Sequence, residues 1–188
     1  RVDKKIAMVG AGALGSNIMI NLVRSGFGEW TIIDKDIVLP HNLARHISSS
    51  SAIGWDKSIT LAHFANNIIS GEPIAKPIVG DVTTPDKKVI LESADIILDT
   101  SASPAVTRYL SDIKSDARRI SAFLNPTGTD SVLLVEDSQR QVPLDLLEMQ
   151  YYRFLTSKQE LENHLKRTED NIYYSPSCSD VTSRIPQN

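Results

Sequence analysis

Gly10-Ala11-Gly12-Ala13-Leu14-Gly15 follows directly on the apolar run Ile6-Ala7-Met8-Val9 and leads into an amphipathic stretch from Leu14 to Ser25. A strand, a G-x-G-x-x-G turn and a helix in that order confine the chain to a small set of α/β folds. The first glycine permits the tight turn, the second lets a phosphate approach the backbone, and the third lets helix and strand pack closely. Gly10, Gly12 and Gly15 are therefore candidate nucleotide-binding positions, with the N–H groups and dipole of the helix start favouring an anion. Asp34 closes the next apolar strand about 20 residues on, where a carboxylate can accept hydrogen bonds from ribose hydroxyls. The fingerprint does not choose the nucleotide, and NAD, FAD and ATP all remain open at this point.

Strand and helix signals alternate through the rest of the chain. Trp30 to Ile33, Ile74 to Val79, Ile96 to Leu98, Arg119 to Ala122 and Ser131 to Val135 read as further strands. Asp56 to Ile69, Lys87 to Glu92 and Pro104 to Ile113 read as helices, the last opened by a proline. Gly26 and Gly28 are expected to stop the first helix. Repeated βα units of this kind predict a Rossmann-like, doubly wound and mostly parallel sheet with helices on both faces. Pro143 to about Arg167 turns helical and charged, which we expect to be a solvated helix pair, and the tail after Asp170 reads as a loop.

A net charge of −3 gives no reason to expect a nucleic-acid partner, because phosphate-backbone binders carry a clustered basic excess. The single cysteine, Cys178, excludes an internal disulfide framework and a paired-cysteine zinc site, and fits a reducing, cytoplasmic setting. The most apolar stretch, Ile6 to Leu22, contains Ser16, Asn17 and Asn21, so no membrane span is expected. The four histidines show no metal spacing and are read as structural or surface residues. The chain starts at Arg1 close to a strand and ends at Asn188 with no stop signal, so we expect a piece of a longer protein.

Asp34-Lys35-Asp36-Ile37-Val38-Leu39-Pro40-His41-Asn42-Leu43-Ala44-Arg45-His46 narrows the choice of nucleotide. It resembles the D-x-D-x-V-x-x-x-N-L-x-R-Q segment of the ThiF, MoeB and ubiquitin-activating superfamily, with His46 in place of the usual glutamine. Ile53-Gly54-Trp55-Asp56-Lys57 looks like that family's G-x-x-K. The resemblance implies ATP as the nucleotide, with Asp36, Asn42, Arg45 and Lys57 added to the binding residues. Asn42 and Arg45 are three apart and face the same way on a helical turn. Arg45 offers a planar donor fork for phosphate oxygens and Lys57 a mobile point charge. Two cations beside a departing pyrophosphate would lower its barrier, which makes Arg45 and Lys57 catalytic candidates. Taken singly, each would be read as a solvated surface charge.

The family pattern fails after the fourth strand. Relatives carry D-x-x-D-N there, and the second acid helps hold magnesium; here the run is Asp99-Thr100-Ser101-Ala102-Ser103. Asp99 is the remaining metal candidate for Mg²⁺, set against a structural role capping the following turn. Cys178, in a polar loop, resembles the thioester cysteine of bacterial ubiquitin-activating-like proteins, and is read as nucleophile or as bystander. The resemblance divides the chain into an ATP-binding adenylation core over 1–142 and a helical segment with the cysteine-bearing loop of the same domain over 143–188. It implies adenylation of the C-terminal carboxylate of a ubiquitin-like or sulfur-carrier protein, a conjugating-enzyme partner and a homodimer. Two alternatives stand beside it. One is a non-catalytic nucleotide-binding or dimerisation module that has lost magnesium handling, and the other is a Rossmann oxidoreductase.

Overall fold

The computed structural model describes residues 2–166. Its strands are β1 (Val2–Val9), β2 (Phe27–Asp34), β3 (Ala75–Val79), β4 (Ile96–Asp99), β5 (Arg118–Leu124) and β6 (Ser131–Val135). Its α-helices are α1 (Ala13–Arg24), α2 (Lys57–Ile68), α3 (Lys88–Glu92), α4 (Pro104–Asp112) and α5 (Leu144–Ser157). Short 3₁₀ turns at Pro40–Asn42, Ser50–Ala52, Pro85–Lys87 and Gln159–Leu161 join them.

The strands form one sheet in the order β3-β2-β1-β4-β5-β6, parallel throughout except for the β5–β6 pair. This is the expected Rossmann-like α/β fold. Both faces are buried, which explains why β1 reads as an unbroken apolar run. Ile6 and Met8, with Trp30 and Ile32, pack against Met19, Ile20 and Val23 of α1 and Leu61 and Ala65 of α2. Ala7 and Val9, with Ile33 and Ile97, face Leu91 of α3 and Leu110 of α4. From β1 the chain moves outward to β2 and β3, then crosses back to β4 on the other side. The reversal leaves a crevice at the carboxyl ends of β1 and β4, the place where open α/β sheets bind ligands.

Gly26 (φ 75) ends α1 as expected, its N–H donating to Val23 O at 2.9 Å. Gly28 does not belong to that stop: it lies inside β2 (φ 79), and a Cβ there would run into the Ile6 side chain. The segment after Pro143 is also not a helix pair within the described residues. It is α5 followed by one 3₁₀ turn, with Leu144, Glu148 and Leu155 buried.

A polar cluster missed by hydrophobic patterning ties β5, β6 and α5 together. The buried Arg119 guanidinium donates to the carbonyls of Leu110, Ile113, Ser115 and Ala117, gathering the α4–β5 loop around one side chain. Glu136, equally buried, accepts the Arg119 backbone N–H (3.0 Å), Arg140 Nε (2.7 Å) and the Leu144 N–H at the start of α5 (2.9 Å). Removing one partner from such a network leaves buried charge uncompensated. Glu136→Ala is therefore expected to lower unfolding free energy by about 3–5 kcal/mol in urea titration; a loss below about 1 kcal/mol would contradict this role.

At the middle of the sheet α1 approaches closely through Gly15, where a Cβ would collide with the Gly10 carbonyl, Thr100 Oγ1 and Met8 Cε. The Gly10 carbonyl is backbone and Thr100 Oγ1 is hydrogen-bonded to it, so neither yields cheaply. Gly15→Ala is expected to destabilise the fold by about 1–3 kcal/mol and to reduce nucleotide binding with it. An unchanged melting temperature would show that helix and strand have room to spare.

Candidate functional site

The glycine turn is held from several directions. Gly10 donates its N–H to Ile33 O (3.0 Å), and its carbonyl accepts Thr100 Oγ1 (2.6 Å). The Ala11 N–H donates to Asp34 Oδ2 at 2.5 Å, while Asp34 Oδ1 accepts the Asp36 N–H at 2.7 Å. Asp34 is 8% exposed, and burial pushes its carboxyl above the ordinary range against the pull of those N–H donors. It thus braces the turn and also lines the adjoining cleft. Gly12 caps α1 with no side-chain hydrogen bond, which leaves the first helical N–H groups to an incoming anion.

Gly12 and Ala13 share a small pocket with Asn42, Arg45, His46 and Lys57. The structure therefore brings together the residues that the sequence places three separate segments apart. Asn42 is buried, with Oδ1 accepting the Leu39 N–H at 2.9 Å, which fixes the 3₁₀ turn that presents Arg45. Asn17 of α1 donates to the Arg45 carbonyl (3.2 Å), tying that turn to the helix start. Lys57, the first residue of α2, is 1% exposed, so it is neither a solvated charge nor mobile. Its ammonium lies 3.2 Å from Asp36 Oδ2, and a short antiparallel bridge between Ile37 and Asp56 draws the two segments together. Asp36 pairs with Lys57 and Asp34 lies within electrostatic range of it, so two carboxylates accompany the two cations.

Beside it, a cleft of about 160 Å³ opens at the switch point between Gly10, Asp34, Asp36, Gly80, Asp81, Ser101 and Ser103. Asp81 and Lys35 close one rim through an ion pair at 3.0 Å. The Thr83 N–H and hydroxyl, together with Lys35, hold the Asp81 carboxyl down at about 2. Sequence reading does not single out Asp81, Ser101 or Ser103. The available signal was their position just past the carboxyl ends of β3 and β4. A larger cavity of about 250 Å³ lies toward the amino ends of the strands, between Lys5, Glu29, Thr31 and Lys76. It is remote from the glycine turn, and we assign the site to the smaller cleft because the polar donors converge there.

Asp99 is 1% exposed and turned into its own loop. Oδ1 accepts the Ser101 N–H (2.9 Å) and Oγ (2.7 Å), and Oδ2 accepts Thr107 Oγ1 of α4 (2.6 Å). Burial raises its pKa, with these donors opposing the shift. That geometry favours the capping role over the metal role. Ala102 is exposed and left-handed (φ 55). Among the described residues no group of three or more His, Cys, Asp or Glu side chains could hold a metal ion. Magnesium takes only one or two carboxylates beside the phosphates, and Asp34, Asp36 and Asp81 line the adjoining cleft. Cys178 and the end of the 143–188 segment lie outside the described residues. No helix among the described residues is long and apolar enough to cross a membrane.

The chain is similar to known proteins in sequence and in fold. The ThiF family matches residues 2–143. ATP-dependent ubiquitin transferase-like protein Cap2 of Vibrio cholerae is 33% identical over an alignment covering 98% of this chain and 34% of that protein. Adenylyltransferase and sulfurtransferase UBA4 of Yarrowia lipolytica is 34% identical over 57% of this chain and 27% of its own length. Escherichia coli MccB solved with ATP shares the fold, with a TM-score of 0.66 over 82% of this chain and 48% of that one at 19% identity. The chain thus spans about a third of the length of the Vibrio relative. With the family match running from β1 past β6, the chain belongs to the ThiF family.

Proposed function

We propose that this chain is the nucleotide-binding part of an enzyme that uses ATP to adenylate the C-terminal carboxylate of a ubiquitin-like or sulfur-carrier protein. The observation that carries this reading is the meeting of Asn42, Arg45 and Lys57 with the uncapped start of α1 around one pocket. The base and ribose would occupy the cleft beside Asp34 and Asp36, with the triphosphate running past Gly12 to the cations. The carrier's carboxylate oxygen then attacks the α-phosphorus, the bond to the bridging oxygen breaks, and pyrophosphate leaves with the charge. An acyl-adenylate remains.

Arg45 offers a fork of donors that matches phosphate oxygens, and the buried Lys57 adds a fixed positive charge where the leaving group gains its own. Lys57 has little reorganising to do during the step, because Asp36 already holds it, and the 3₁₀ turn fixes the backbone that carries Arg45. A hydride-transferring enzyme has no use for a cation pair at that place, which argues against the oxidoreductase alternative. The names of the Cap2 and UBA4 relatives support ubiquitin-like and sulfur-transfer chemistry for the carrier.

A second step is proposed on Cys178: its thiolate attacks the acyl carbonyl, AMP leaves, and a thioester forms for transfer to a conjugating enzyme. A second copy of the chain is the expected partner in assembly. The non-catalytic alternative keeps one observation in its favour, namely Asp99 committed to its loop and Ala102 beside it. Pyrophosphate exchange separates the two. Arg45→Ala is expected to cut carrier-dependent ATP–pyrophosphate exchange by about 100-fold or more with an unchanged melting temperature. Exchange near the wild-type rate would remove Arg45 from the phosphate role, and no exchange by the wild-type protein with any carrier would favour the binding module.

A further inference from the structure

His46 immediately follows Arg45 and is 6% exposed, with both ring nitrogens engaged. Nε2 lies 2.7 Å from the Ala11 carbonyl oxygen, which can only accept, so Nε2 carries the proton. Nδ1 accepts the Ser48 N–H at 3.1 Å and lies 2.8 Å from Ser48 Oγ, which can donate to it. The ring is therefore neutral, with one end a donor and the other an acceptor.

The Ala11 carbonyl and the Gly12 N–H belong to one planar trans peptide, in which they point in opposite directions. A donor that fixes the carbonyl on one side fixes the N–H on the other. On the far side of Ala11, its own N–H is already held by Asp34. We propose that His46 is a positioning residue: by holding the Ala11 carbonyl it aims the Gly12 N–H into the pocket shared with Arg45 and Lys57. The assignment rests on that pocket binding a nucleotide phosphate, and it gives a positioning role to a residue in the pocket's own lining.

Protonation would undo the arrangement. A second ring proton on Nδ1 would face the Ser48 N–H, donor against donor, and add charge beside Lys57 of α2 and Arg45 of the same turn. Asp36 is engaged with Lys57, and Asp34 reaches the ring only through Ala11. Burial, and to a smaller extent Lys57, hold the ring below the usual imidazole range, opposed by its bond to Ala11. Because the unfolded chain takes up this proton first, stability present above the unfolded pKa is lost as pH falls from about 6.5 toward the folded value.

The test is direct ATP binding by calorimetry across about pH 8 to 5.5, with wild type, His46→Gln and His46→Leu. A glutamine amide also offers a donor and an acceptor, so His46→Gln is expected within about twofold of wild type at pH 8. His46→Leu is expected to weaken ATP by about tenfold or more at every pH. As pH falls, wild type is expected to lose affinity relative to His46→Gln, a comparison that cancels the nucleotide's own titration. A merely nearby charge would tighten ATP on protonation instead.

Acid-tightened binding in wild type relative to the glutamine variant would overturn the proposal, as would leucine binding within twofold of wild type. If His46→Leu does not fold, the pH comparison between the other two proteins decides. Absence of ATP binding by wild type at every pH would instead overturn the nucleotide reading itself.

Discussion

The site depends on how the peptide groups around Ala11 are restrained. A glycine-rich turn has many conformations to lose, and only one of them directs its N–H groups at a phosphate. Here the choice is made by side chains far away in sequence. Asp34 at the end of β2 takes the Ala11 N–H, His46 takes its carbonyl, and Thr100 past β4 takes the Gly10 carbonyl. Each restraining group stands where the parallel sheet delivers it, at the carboxyl end of a strand or on the loop just beyond. The sheet order brings the ends of β2, β1 and β4 side by side, so the glycine turn is braced by the protein's own groups.

The same economy governs the charges. Lys57 is buried at the first position of α2 and leans on Asp36, while no protein group among the described residues bonds the Arg45 guanidinium. The Lys57–Asp36 pair sets a buried cation against one partly exposed carboxylate. Lys57, Arg45 and the start of α1 gather beside Asp34 and Asp36 in a protein whose net charge is −3. Overall composition gives no reason to expect nucleic acid and says nothing against a small polyanionic ligand.

Much of this was legible in the sequence because its signals are local. The run Ile6–Val9, the three glycines and the acid at residue 34 each carry a short-range meaning, and the strands and helices follow in the order expected. The resemblance around Asn42, Arg45 and Lys57 brought the cations into view, although their depth of burial did not follow from it. What stayed hidden is long-range. His46 looked like a structural or surface residue because nothing local reveals its bond to Ala11, 35 positions earlier. Arg119 and Glu136 carry no local signal of their role, since burial of a charge shows only when all its partners are in place. Asp99 could be read as ligand or cap until its partners on Ser101 and Thr107 were seen.

The central claim is that the pocket beside the glycine turn grips the tail of a triphosphate. Calorimetric titration of the wild-type protein with ATP, ADP, AMP and NAD tests it most directly. Affinity is expected to fall by about thirtyfold or more from ATP to AMP, as each of the two lost phosphates forfeits contacts worth about 1 kcal/mol or more, with NAD weaker than ATP. Equal affinity for ATP and AMP, or tighter binding of NAD, would contradict the account.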